Sequence, residues 1–383
     1  MPPTPPRVGQ PRLLLVGAGH AHLHLIRHHH RLEAAEITLV DPGSFWYSGR
    51  ATSLLSARHS PAEIRLDPVR LASRFGVKVL RGRLAHLDPA AGIARLEDGR
   101  ALDFSLLSLN LGSCSPCPEP CTPGPGVWGV KPLPRLLALR HRLEQEFSRG
   151  RTPRLVIVGG GPSGVEVACQ LRELARRHGA HPEILLVTRG QQLLEGAPRG
   201  AIGWLMRQLA RREIEVRFGL EVTGHAANGV TFTTESNAWG EDSLQWLAAD
   251  HVVHAEGLVP PAVVERLGLP LIPHRGLAVE ATLQCPGYPD IFAIGDCAAM
   301  LHHELPRLRI YGIRQARVLL DNLAARLSGD PLIAYVPQRR ALAILDLGAG
   351  QGLAIRGHHW WGGRLALALK THLDRRFLRQ YRL

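Results

Sequence analysis

Lysine is nearly missing from this chain of 383 residues: Lys78, Lys131 and Lys370 are the only three among 46 basic positions. The remaining 43 (46 minus three) are arginines scattered from end to end. A formal charge of +13 built this way reads as base composition of the coding genome rather than as a DNA surface. No helix-turn-helix, zinc-finger or aromatic RNA-binding motif accompanies it, so nucleic acid is not expected as a partner. The charge still favours anionic ligands and acidic headgroups. Also absent is any run of about 18 apolar residues, which argues against a spanning helix. The stretch Met1 to Gln10 is proline-rich and lacks the apolar centre of a signal peptide, so a cytoplasmic compartment is expected. Six cysteines in that compartment argue against a disulfide framework. Cys114-Ser115-Pro116-Cys117 has no second C-x-x-C to complete a zinc site, and no metal is expected.

What the chain does have is glycine in three informative places. Leu13-Leu14-Leu15-Val16 runs into Gly17-Ala18-Gly19-His20-Ala21-His22. Leu155-Val156-Ile157-Val158 runs into Gly159-Gly160-Gly161-Pro162-Ser163-Gly164. Each is a buried strand, a tight turn and a helix start, where missing Cβ atoms let a pyrophosphate approach and free N–H groups meet it. Asp41 ends the next strand, 24 residues after Gly17, where a carboxylate accepts bonds from ribose hydroxyls. The second unit has no such acid: Ile184–Val187 leads into Thr188-Arg189, and Arg189 suits a 2′-phosphate. NADH and NADPH therefore both stay open. Ile291-Phe292-Ala293-Ile294 ends in Gly295-Asp296, an acid placed for flavin ribitol hydroxyls. His22 replaces the third glycine of the first turn, which either loosens helix packing or sets an imidazole near the cofactor. With His20, His24 and His28 it reads as core or cofactor-adjacent rather than metal-binding.

The predicted fold is α/β, with two Rossmann-like doubly wound units. Residues 1–125 form the first part of an FAD domain, 126–258 an inserted NAD(P)H domain, 259–335 the second part of the FAD domain, and 336–383 an extension of a hairpin and an amphipathic helix. Further expectations are a helical stretch at 51–57 and hairpins near 84–102 and 341–356. On a helical wheel Leu365, Ala366, Leu369, Leu373 and Phe377 fill one arc. Arg364, Lys370, Asp374, Arg375, Arg379 and Arg382 fill most of the rest. That pattern suits a helix lying in a membrane interface, and equally one packed on its own protein or in a homodimer.

With the motifs Tyr47-Ser48-Gly49, Val130-Lys131-Pro132 and Lys370-Thr371-His372-Leu373-Asp374, the chain resembles the pyridine nucleotide-disulfide oxidoreductase superfamily, and type II NADH dehydrogenases in particular. It is especially similar to the flavoproteins related to the N-terminal half of selenide, water dikinase fusions. The resemblance implies that Gly17, Gly19, His20, His22, Asp41, Gly295 and Asp296 lie at FAD, and that Gly159, Gly161, Gly164 and Arg189 lie at NADH or NADPH. It places Glu166 near the nicotinamide carboxamide, with Gln315 or Tyr47 at the flavin edge where a quinone is reduced. Glu256 stands in Ala255-Glu256-Gly257 where relatives have threonine. The implied activity is an FAD-dependent NAD(P)H dehydrogenase passing electrons to a quinone, cytoplasmic or peripheral on the inner face of the membrane. Two rivals remain: a sulfide:quinone-type enzyme using Cys114, Cys117 or Cys121, and a flavoprotein redox sensor or scaffold.

Overall fold

The computed structural model describes residues 9–116, 126–226, 228–234, 244–305, 307, 309–338 and 340–381. Cys117, Cys121 and Arg382 lie outside the described residues.

Two parallel sheets dominate. In the first, the spatial order is Gln284–Cys285, Tyr288–Ala293, Leu106–Leu109, Arg12–Val16, Glu36–Asp41 and Lys78–Arg81. All its pairings are parallel except that of Gln284–Cys285 with its neighbour. The second runs Val127–Gly129, His251–His254, Leu155–Val158, Ile184–Val187 and Ile214–Arg217, parallel throughout. Leu106–Leu109, Leu155–Val158 and His251–His254 are buried at every position, as strands covered on both faces must be. One face of the second sheet packs Val156, Val158, Val187 and Val252 against Leu220, Val230 and Phe232 of a three-stranded antiparallel sheet. In each sheet the glycine turn follows a strand with later strands on one side and the next strand on the other. The chain reverses direction there, and a crevice opens beyond the carboxyl ends.

Two local expectations are revised. Residues 51–57 do not form one helix: single 3₁₀ turns cover Ser48–Arg50 and Thr52–Leu54, and Ala57 adopts a φ of 56°, which stops propagation. The region near 84–102 is not a hairpin but a three-stranded antiparallel sheet of Leu84–Asp88, Ile93–Leu96 and Ala101–Asp103.

The last segment also differs from its reading. A third strand, His359–Gly363, joins Ala343–Asp346 and Gly352–Arg356. Leu345, Leu347 and Leu353 share a core with Ile157, Val165 and Leu186 of the second unit. The following helix, Arg364–Tyr381, instead sends Leu378 and Tyr381 into the core of the first unit. The extension therefore spans both units. Its helix turns Lys370 and Asp374 inward, and of the apolar arc Ala366 and Phe377 pack while Leu365 stands 80% exposed and Leu373 42%, so the arc packs only in part.

Candidate active site

The first cradle is shaped by close backbone approach. Gly17 has a φ of 90°, and a Cβ there would strike the Asn110 carbonyl. A Cβ on Gly19 would fall on the Asn110 side chain. Asp41 Oδ2 accepts a 2.6 Å bond from the Ala18 amide, and Oδ1 accepts one of 2.8 Å from Gly43. Burial raises its pKa against the pull of those two amides. Asp41 is thus fastened to the turn itself.

His22 is fully buried on the inner side of the same helix. Its Nδ1 lies 2.6 Å from the Gly17 carbonyl oxygen and its Nε2 lies 2.8 Å from Ser108 Oγ. Burial lowers its pKa to about 4, so it is neutral at pH 7 and ties turn to sheet. The ring stitches the helix to its strand rather than loosening it. His20, at the start of the helix, sits edge-on to Phe45 at 4.9 Å and near Phe377 at 5.2 Å.

The Gly-Asp signature closes this cradle from the end of Tyr288–Ala293, two strands away from Arg12–Val16. Gly295, at a φ of 75°, donates its N–H to Gln315 Oε1 at 3.2 Å. Asp296 Oδ2 accepts from Ser113 Oγ at 2.6 Å and from Lys131 Nζ at 2.9 Å. Burial opposes its ionisation, but Lys131 and Ser113 outweigh that and hold its pKa below the usual range. Both bonds fall on one oxygen, so Oδ1 can take a ligand hydroxyl. Stripped turns on one side and an ionised acid on the other fit a flavin dinucleotide.

The second cradle repeats the first in outline. Gly159 N–H donates to the Val187 carbonyl at 2.8 Å, as Gly17 N–H does to Val40. A Cβ on Gly164 would overlap the Gly159 carbonyl oxygen, whereas one on Gly161 would meet nothing within 4 Å, which is what an open phosphate face requires. Thr188 occupies the register of Asp41 and its Oγ1 accepts the Gly190 N–H at 3.3 Å. Arg189 is exposed and lies 3.4 Å from Glu221.

Between the cradles lies a buried polar network. Glu166 Oε1 accepts the Asp346 N–H at 2.7 Å, and Thr52 Oγ1 donates to its Oε2 at 3.3 Å. Burial pushes its pKa up to about 7 despite the nearby Lys370 cation. Lys370 donates to the Gly49 carbonyl and to Asp374 Oδ2, the latter at 2.9 Å. Tyr47 OH donates to Asp374 Oδ1 at 2.7 Å, and its ring stacks on Phe377 at 4.7 Å. Arg58 Nη1 donates to Asp346 Oδ2 at 2.6 Å.

The structure thus sets Tyr47, bonded to the C-terminal helix, and Glu166, bonded to Asp346 and Thr52, in two hydrogen-bonded groups coupled by the charge of Lys370, with Gln315 held separately at Gly295 and Arg189 at the surface. Thr52, Asp346, Lys370 and Asp374 were not singled out in the sequence as site residues. Only the Lys370–Asp374 spacing, i to i+4, offers a local signal. Cys114 is half-buried and bridged by backbone to Val259, and burial raises its thiol pKa, the opposite of an activated thiol. Among the described residues no cluster of His, Cys, Asp and Glu is built to hold a metal.

The pyridine nucleotide-disulphide oxidoreductase family pattern matches residues 11–317. Demethylphylloquinone reductase NdbB of Synechocystis is 27% identical over 91% of this chain and 89% of its own. The type II NADH:quinone oxidoreductase of Staphylococcus saprophyticus is 24% identical over 95% and 94%. In fold, the sulfide:quinone oxidoreductase of Aquifex aeolicus superposes with a TM-score of 0.82 at 16% identity, covering 97% of this chain and 91% of that one. NDH2 of Plasmodium falciparum in complex with NADH superposes at 0.77 with 13% identity, covering 97% of each. The chain belongs to the pyridine nucleotide-disulphide oxidoreductase family, as an FAD-dependent oxidoreductase of NADH or NADPH.

Proposed function

We propose that the chain passes electrons from NAD(P)H to a quinone-class acceptor. Residues 1–125 and 259–335 would hold FAD through Gly17, Gly19, Asp41 and Asp296. Residues 126–258 would hold the nicotinamide nucleotide through Gly159, Gly161 and Gly164. When bound, FAD supplies the two-electron chemistry between donor and acceptor.

The observation that carries this reading is Glu166, a buried carboxyl poised at a pKa of about 7 within the field of Lys370, whose partner Asp374 also accepts from Tyr47. Reducing a quinone takes two electrons and two protons; a hydride accounts for the electrons and one proton. A carboxyl that titrates near neutral pH can hold the other, with Lys370 steadying the anion left behind. A disulfide reductase would need a cysteine pair instead, and residues 43–60 contain no cysteine. The names of the quinone-reducing relatives support the same reading.

Glu166→Gln tests it. Anaerobic flavin reduction by NAD(P)H should stay within about threefold of wild type, while quinone turnover falls about a hundredfold and its bend near pH 7 vanishes. A variant that keeps both rate and bend sinks the proposal.

The C-terminal helix would also dock on a lipid surface. Leu365 and Leu373 are exposed, and Arg364, Arg375, Arg376 and Arg379 line a groove of about 970 Å³ beside them. No helix among the described residues is long and apolar enough to cross a membrane. Replacing Leu365 and Leu373 by glutamate should abolish flotation with anionic liposomes while leaving turnover of a soluble quinone intact. Unchanged flotation would retire the idea, and a changed elution volume would point to a homodimer instead.

A further inference from the structure

Glu256 belongs to a chain of polar groups that the reaction above does not use. It follows His254, the last residue of the strand beside Leu155–Val158, where His254 pairs with Val158. His254 Nδ1 lies 2.7 Å from Glu256 Oε1, and its Nε2 lies 2.6 Å from His225 Nε2. One tautomer satisfies both contacts: His254 Nδ1–H donates to the carboxylate, and His225 Nε2–H donates to His254 Nε2. Burial and His254 lower the pKa of His225, which leaves that ring neutral at pH 7.

The other oxygen is the informative one. Glu256 is 33% exposed as a side chain, yet its Oε2 is buried and has no partner among the described residues. A buried carboxylate oxygen without a donor costs about 1–3 kcal/mol or more, which a ligand hydroxyl would offset. Its position names the ligand. The Glu256 amide nitrogen is 2.8 Å from where a Cβ on Gly159 would lie, so the residue borders the phosphate turn. In this architecture the adenosine half of a dinucleotide runs toward the second strand, here Ile184–Val187. The sugar on the opposite side of the turn, toward His251–His254, is then the nicotinamide ribose.

We propose that Glu256 binds the hydroxyls of the nicotinamide ribose, with His254 and His225 as positioning residues that aim Oε2. This rests on the assignment of the Gly159 turn to the nicotinamide nucleotide. The carboxylate that the second unit lacks at Thr188 is thereby supplied one strand away on the other side, for the other sugar.

Dissociation constants on the FAD-loaded protein decide it, read by calorimetry with NAD⁺, NADP⁺, ADP-ribose and AMP. For Glu256→Ala, NAD⁺ or NADP⁺ and ADP-ribose should weaken by roughly 10- to 100-fold, and AMP by less than about twofold. Glu256→Gln, which keeps the shape and one acceptor, should lose less, and flavin absorbance reports that the fold is intact. Unchanged ADP-ribose binding overturns the proposal, as does an equal loss for AMP. A wild-type protein that binds none of these ligands instead overturns the assignment of the turn.

Discussion

The two glycine turns are built on one backbone plan, and two of their differences change how the turn is held. In both, the first glycine N–H bonds a carbonyl at the end of the next strand, Val40 in one and Val187 in the other, at 2.8 Å. In both, the strand-end side chain accepts the N–H two residues on, from Gly43 in one and Gly190 in the other. At the third glycine position the second unit keeps Gly164, because a Cβ would collide with the Gly159 carbonyl. The first unit has His22 there, and its ring bonds the equivalent carbonyl of Gly17. The glycine rule is therefore a statement about one carbonyl: bury it against bare backbone, or give it a side-chain donor. The second difference is Asp41 against Thr188, a charge that grips the turn against a hydroxyl that does not.

The largest effect should come from adding a methyl where the second unit has no room. Gly164→Ala should cost about 3 kcal/mol or more and abolish nicotinamide-nucleotide binding while flavin is retained. Retained nucleotide affinity would mean that the two turns tolerate the same substitutions. Removing the donor from the first unit is milder. His22→Ala strands the Gly17 carbonyl and Ser108, which should lower stability by about 2 kcal/mol and speed flavin loss, read by absorbance after gel filtration.

Acid should separate the units without any substitution. The His22 pKa falls from an ordinary 6.5 to about 4 through burial, so the unfolded state takes the proton first. Its contribution is present above pH 6.5 and is lost as pH falls from there toward 4; His24 and His59, likewise lowered to about 4, act in the same direction. Flavin release between pH 6.5 and 4 should be steeper in wild type than in His22→Asn. Parallel curves would remove His22 from the account. Glu166 has the opposite sign: its raised pKa means that stability falls as pH rises toward about 7. The smallest effect belongs to Arg189→Ala, an exposed position whose pair with Glu221 adds little stability. It should shift the NADPH-to-NADH preference about tenfold with no change in melting temperature. An unaltered ratio would return Arg189 to the solvent.

How much of this was legible follows from distance along the chain. The two turns and Gly295-Asp296 could be read because apolar strands and glycine positions are local patterns. The partner of His22, Ser108, is 86 residues away, and the Asp346 amide that holds Glu166 is 180 away. No periodicity carries such pairings. The C-terminal wheel allowed for a helix packed on its own protein, which the structure shows, but it sorts residues by polarity and did not mark Lys370 and Asp374 as a buried pair with Tyr47 and Gly49 as partners. Leu365 is left in the open by the same arrangement.

That tail has a practical consequence for anyone handling the protein. A shortened form ending at Gly362 would take away the groups that seat Tyr47 and crown the pocket, so any change in lipid partitioning would be confounded by damage to the chemistry. Tyr381 is buried in the core of the first unit, so purification handles belong at the amino end, or after a spacer long enough to leave that ring where it rests.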